Sequence, residues 1–104
     1  MTKAQNIIKL CEGHSTVTFF AETPDYKKAL QMLDAKREED RAEYRYHEHP
    51  DSWANADEPK VKSLEFETPE DVWEWVDENV RYYMSVAVKV KHPVGWAFAA
   101  DYHH

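Results

Sequence analysis

Apolar positions recur along this chain with two periods, and the switches between them mark out the elements. Ala4, Ile7, Ile8 and Cys11 follow the i, i+3, i+4, i+7 spacing of one buried helical stripe. Thr2-Lys3-Ala4-Gln5 suits a capping box ahead of that stripe, and Gly13 suits the left-handed stop behind it. The pattern therefore predicts a short N-terminal helix with Cys11 as a small core residue. Thr16–Ala21 is β-branched and aromatic and reads as a strand. Thr23 then serves as N-cap and Pro24 as first residue of a second helix, whose apolar face is Tyr26, Ala29, Leu30 and Leu33. Glu38, Glu39 and Asp40 sit badly at the negative end of a helix dipole, so this helix is expected to stop near Lys36 or Arg37.

From Ala42 to His47 the period becomes two, with Ala42, Tyr44 and Tyr46 opposite Glu43, Arg45 and His47, which predicts a half-buried strand. Glu48–Pro59 has no period and reads as a long connector containing Trp53. Lys60–Phe66 reads as a third strand. Glu67-Thr68-Pro69 repeats the earlier Glu22-Thr23-Pro24 punctuation and opens a third helix. Val72, Val76 and Val80 form its stripe, Trp73 and Trp75 flank it, and Glu70, Asp71, Glu74, Asp77 and Glu78 form its outer face. The helix is expected to end near Asn79, with Met84 as the alternative. Val86, Val88 and Val90 mark a fourth strand, His92-Pro93-Val94-Gly95 a type I turn, and Trp96–Tyr102 a fifth strand returning as a hairpin.

The expected order is an N-terminal helix, then βαββαβ, then an extra C-terminal strand. Two tandem strand–helix–strand units suggest a ferredoxin-like two-layer α+β sandwich. The alternative is an antiparallel meander with its helices on one face.

Composition narrows the class. A chain of 104 residues, 42% hydrophobic and 13% aromatic, can fill one core and is read as one domain over 1–104. Its single thiol excludes an intramolecular disulfide and any multi-cysteine zinc site. No run is long and apolar enough for a bilayer, and Met1–Asn6 has no secretory pattern, so a cytoplasmic location is expected. A net charge of −7 argues against general nucleic-acid binding and against anionic membranes, both of which need cationic surface.

Charge and composition leave few routes to chemistry. With only Gly13 and Gly95 present, a Walker loop or dinucleotide fingerprint cannot be built. Gly-x-Ser-x-Gly, His-Glu-x-x-His and EF-hand patterns are absent too. His47-Glu48-His49 places two imidazoles on one face of an extended segment, a half-site for a divalent transition metal that His92, His103 or His104 could complete. The bland reading, a solvated strand face, outweighs it, and no cofactor is expected. Asp51 with Glu58-Pro59-Lys60 only superficially matches a nuclease metal site, because Pro59 falls where a central strand should run. An RNA-binding sheet using Phe20, Lys89 and Lys91 is opposed by the charge.

Protein binding is better supported. Between Asp57 and Glu78 nine carboxylates face only Lys60 and Lys62, a density that could also mimic a phosphate backbone in another protein's basic site. Four tryptophans and six tyrosines are many for one small domain, and such residues anchor interfaces. The capped N-terminal helix and the unit in which strand Thr16–Ala21 passes through Glu22-Thr23-Pro24 into the second helix resemble segments of small bacteriophage accessory proteins, which implies action by binding a host or virion component. The reading is a non-enzymatic protein–protein interaction module, a regulator or inhibitor, contacting its partner through Trp53, Trp73, Trp75, Glu70, Glu74, Asp77 and Glu78. A homodimer through an edge strand is compatible with it. The alternatives are a metal-binding or metal-dependent protein centred on His47 and His49, and an acidic nucleic-acid mimic.

Overall fold

The structure, a computed structural model, describes residues 7–13, 16–44, 59–80 and 85–101. In chain order it comprises β1 (Ile7–Glu12), β2 (Thr16–Ala21), α1 (Tyr26–Tyr44), β3 (Lys60–Phe66), α2 (Pro69–Asn79), β4 (Ser85–Val90) and β5 (Gly95–Asp101). The five strands form one mixed sheet in the order β1-β2-β5-β4-β3. Every neighbouring pair is antiparallel except β3 with β4, which is parallel and joined through α2.

Where an N-terminal helix was expected there is a strand, and the reason lies in one residue. Lys9 pairs with Phe19 and Cys11 with Thr18, so Leu10 is an extra residue in a β-bulge. The bulge resets the alternation. Ile7 packs with the α1-side core, whereas Leu10 packs with the α2-side core beside Cys11, which is opposite Thr18. Of the expected stripe, Ile7 and Cys11 are partly buried but Ile8 is exposed, while Leu10, outside that stripe, is partly buried. Gly13 closes a hairpin instead of a helix, its N–H donating to the Thr16 carbonyl at 2.8 Å. The capping-box residues Thr2–Gln5 lie outside the described residues.

The second helix runs farther than expected, to Tyr44, and takes Ala42–Tyr44 out of the anticipated strand. Dipole repulsion acts only on the last turn. Because the helix continues past Glu38, Glu39 and Asp40, these acids are interior positions in a run, Lys36 to Glu43, that is made of good helix formers apart from Asp40. The remainder of the expected strand, Arg45–His47, lies outside the described residues. The start of α1 also differs. Asp25 is the cap, its Oδ1 accepting from the Lys27 N–H at 3.0 Å, while Thr23 Oγ1 accepts from the Asp25 N–H at 3.2 Å. In α2, Thr68 stands at the N-cap in extended conformation and Pro69 in the first turn, as expected, but the Thr68 hydroxyl makes no capping hydrogen bond.

The largest correction concerns layers. Phe20, Val72, Val76, Val80, Val86, Val88, Val90, Ala97 and Ala99 form one core between the sheet and α2. Val17, Phe19, Ala21, Ala29, Leu33, Ala87, Trp96 and Phe98 form another between the opposite face and α1. Consecutive residues of β2 and β5 thus serve different cores, and both strands are buried throughout. Neither the two-layer ferredoxin-like sandwich nor the one-sided meander fits, because the helices cover both faces. Runs such as Val17-Thr18-Phe19-Phe20-Ala21 and Trp96-Ala97-Phe98-Ala99-Ala100, apolar in both phases, are what a doubly covered sheet needs.

The last hairpin turns through Lys91–Val94, which contains a cis His92–Pro93 peptide. Its first carbonyl-bonded amides hold it to the end of β3: Lys91 N–H donates to Phe66 O and His92 N–H to Glu67 O, at 2.8 and 2.9 Å. No helix among the described residues is long and apolar enough to cross a membrane.

Candidate interaction surface

The outward side of α2 is built by elementary helix geometry. Pro69, Val72 and Val76 are buried against the sheet, with Val80 capping the stripe. Burying each such valine is worth about 1.5–3 kcal/mol, so the inward face fixes the helix in rotation. At 100° per residue, Glu70, Asp71, Glu74, Asp77 and Glu78 must then point away from the sheet, and all of them are exposed. Among the described residues none of these carboxylates has an ion-pair partner, and the helix itself carries no basic side chain. Glu70 and Asp71 occupy the first turn, where the dipole favours them. Asp77 and Glu78 occupy the last, where it opposes them, and no basic residue is present there.

Trp73 and Trp75 border the acidic stripe on its two sides. Both are half-buried, with part of each ring packed on the α2-side core and the remainder open beside the acids. Trp75 leans on Phe66 of β3 with ring centroids 5.8 Å apart, and its carbonyl accepts from Asn79 Nδ2 at 2.8 Å. Trp73 lies over the β1–β2 hairpin, close enough to Gly13 that a Cβ there would stand 2.8 Å from the indole Cη2. The structure thus brings together Glu70, Trp73, Glu74, Trp75, Asp77 and Glu78 on one helix. Trp53, His47 and His49 lie outside the described residues, as do Asp51, Glu58, His103 and His104.

Two sequence expectations fail at this level. Phe20 is fully buried beneath α2, whereas Lys89 lies on the α1 side of the sheet, so no open face carries them together. Among the described residues no group of three or more His, Cys, Asp and Glu side chains could hold a metal ion. His92 is exposed at the turn, its Nε2 4.0 Å from a Glu67 oxygen that also lies near the Lys91–Glu67 pair.

One feature went unread in the sequence. A shallow cleft of about 350 Å³ lies at the β4–β5 turn, lined by Pro24, Glu65, Lys89, His92, Val94 and Trp96 among others. Trp96 forms its wall: the indole N–H donates to the Pro24 carbonyl at 3.3 Å, Tyr26 meets the ring edge-on at 4.8 Å, and the Lys89 ammonium stands 5.7 Å from it. The signal lies in the hairpin register, where Val90 opposite Gly95 places Lys89 opposite Trp96. Lys89 and Lys91 in the lining are offset by Glu65 there and by Glu67 beside Lys91, which leaves the cleft without a dominant charge.

No protein-family model matches the chain, and neither a curated protein nor a solved structure matches it significantly, so the likeness to bacteriophage accessory proteins gains no support, while the helix on which part of it rested is strand β1.

Proposed function

We propose that the protein is a non-enzymatic binding module that receives a basic surface or segment of another protein on the acidic face of α2. One observation carries the reading. Asp77 and Glu78 stand exposed in the last turn of α2, against the helix dipole and without a cation in the helix. Each such placement costs roughly 0.3–1 kcal/mol of helix stability. A partner bringing Lys or Arg to that turn would reverse the sign of the cost. Trp73 and Trp75 supply the aromatic area that interface anchors need, already held by the core and so losing little freedom on binding. Occupying a basic site on its partner would make the module a regulator or inhibitor.

The test is capture of partners from lysate of the source cell, at low and at high salt. Wild-type protein is compared with a variant carrying Glu74→Gln, Asp77→Asn and Glu78→Gln. A protein retained by the wild type at low salt, released by salt and lost in the variant is the expected result. Identical captures by both proteins, or a wild type that retains nothing the variant loses, would refute the reading.

A further inference from the structure

We infer that Cys11 is a peroxide-oxidation site, at which the sulfenic acid formed on its sulfur is held by the hydroxyl of Thr18. The two residues face each other across β1 and β2, and Ala99 lies opposite Thr18 on its other side. Ladder partners share a sheet face, with their Cβ atoms about 4.5–5.5 Å apart. That face is the α2 side, because Ala99 and Phe20, two residues on from Thr18, both belong to the core beneath α2. Thr18 is fully buried, and its hydroxyl has no hydrogen-bond partner among the described residues. A buried hydroxyl in this state opposes folding until something supplies an acceptor. Ala99 has no acceptor to offer, and the α2 residues packed on this core are valines and tryptophans, which have none either. Of these neighbours, Cys11 is the one that chemistry can turn into an acceptor.

The direction of access fits. Cys11 is partly exposed, so a small oxidant reaches its sulfur from solvent, whereas Thr18 is reached only from within. The thiol itself does not engage the hydroxyl. An oxygen bonded to the sulfur extends its reach by one bond length and accepts from Thr18. The charged side chains of β1 lie on the other face, since Lys9 is opposite Phe19 and Glu12 opposite Val17, both in the α1-side core. The reaction consumes one hydrogen peroxide. Having released its proton, the Cys11 sulfur attacks one peroxide oxygen, and the S–O bond forms as the O–O bond breaks. Hydroxide leaves with the electron pair and takes up the proton as water, so sulfur is oxidised by two electrons and the peroxide reduced by two. The chain has no second cysteine to resolve the product as an internal disulfide, so its lifetime depends on what surrounds it. None of this uses the acids of α2, so either proposal can fail without the other.

The test is titration of the reduced full chain with hydrogen peroxide, with dimedone added at intervals to trap sulfenic acid and intact mass spectrometry to follow each oxidation state. Wild type is expected to accumulate one sulfenic acid, absent from Cys11→Ala. In Thr18→Val the hydroxyl is gone from a fold expected to be at least as stable. There the sulfenic acid should pass on to sulfinic acid roughly tenfold faster. Thr18→Ser, which keeps the hydroxyl, should hold it as long as wild type. A wild type that yields no trapped sulfenic acid, or a Thr18→Val variant that holds it as long as wild type, would overturn the inference. So would a wild type that passes directly into a disulfide-linked pair of chains.

Discussion

Gly95→Ala should destabilise the protein far more than a methyl group suggests, because the position lies where two elements touch. Gly95 begins β5 opposite Val90, and a Cβ there would stand 2.6 Å from both Cε1 and Cζ of Phe20 and would also collide with the Ala21 carbonyl oxygen. Neither neighbour can yield cheaply. Phe20 is fully buried in the α2-side core, and the oxygen belongs to the backbone of β2. Overpacking of this kind costs about 1–3 kcal/mol, and contact with backbone puts it at the upper end. Replacing glycine also reduces the freedom of the unfolded chain, which returns about 0.4–1 kcal/mol. The net expectation is a loss of about 2 kcal/mol, or roughly 10 °C in Tm for a domain of this size. Gly13→Ala is the control. There the near atom, at 2.8 Å, is the far edge of the half-buried Trp73 ring, which can swing outward. Thermal melts followed by circular dichroism compare the two. A Gly95→Ala variant melting at or above wild type would refute the packing argument, as would a Gly13→Ala loss of equal size.

Other expectations follow from the same contacts. The Thr18 hydroxyl is fully buried and has no hydrogen-bond partner among the described residues, so Thr18→Val should raise stability by about 1 kcal/mol in urea titration. Phe98 is fully buried in the α1-side core, and Phe98→Ala should cost about 3–5 kcal/mol, a large part of what a small domain has, visible as a lower urea midpoint at unchanged slope. Asp77→Asn with Glu78→Gln should raise Tm by a few degrees, since both carboxylates oppose the dipole of α2.

Much of the strand and helix inventory was legible. β2, β3, α2, β4 and β5 fall close to where the pattern put them, because β-branched runs, the Thr68-Pro69 start and the valine spacings each act locally. β1 was not legible, since a bulged residue, Leu10, breaks its strand alternation and the pairing that defines it is with β2, distant from the local spacing. The length of α1 was not legible from the dipole, which acts on last-turn residues, whereas Glu38, Glu39 and Asp40 lie inside the helix. The layer count was legible in principle. The both-phase apolar runs of β2 and β5 required cover on two faces, whereas the repeated Glu-Thr-Pro device invited a symmetric two-layer reading. For the surface, helix phase alone located the acids of α2 and its flanking tryptophans. The Trp96 cleft needed the hairpin register.

As proposed above, the acids of α2 serve binding at the expense of the helix. The most direct test of this measures partner affinity and Tm on the same samples of wild type and the Asp77→Asn/Glu78→Gln variant. The account predicts opposite movements: Tm rises while affinity for the captured partner falls, with the difference in affinity shrinking as salt is added. An affinity unchanged by the substitutions, whatever the melting temperature does, would contradict it.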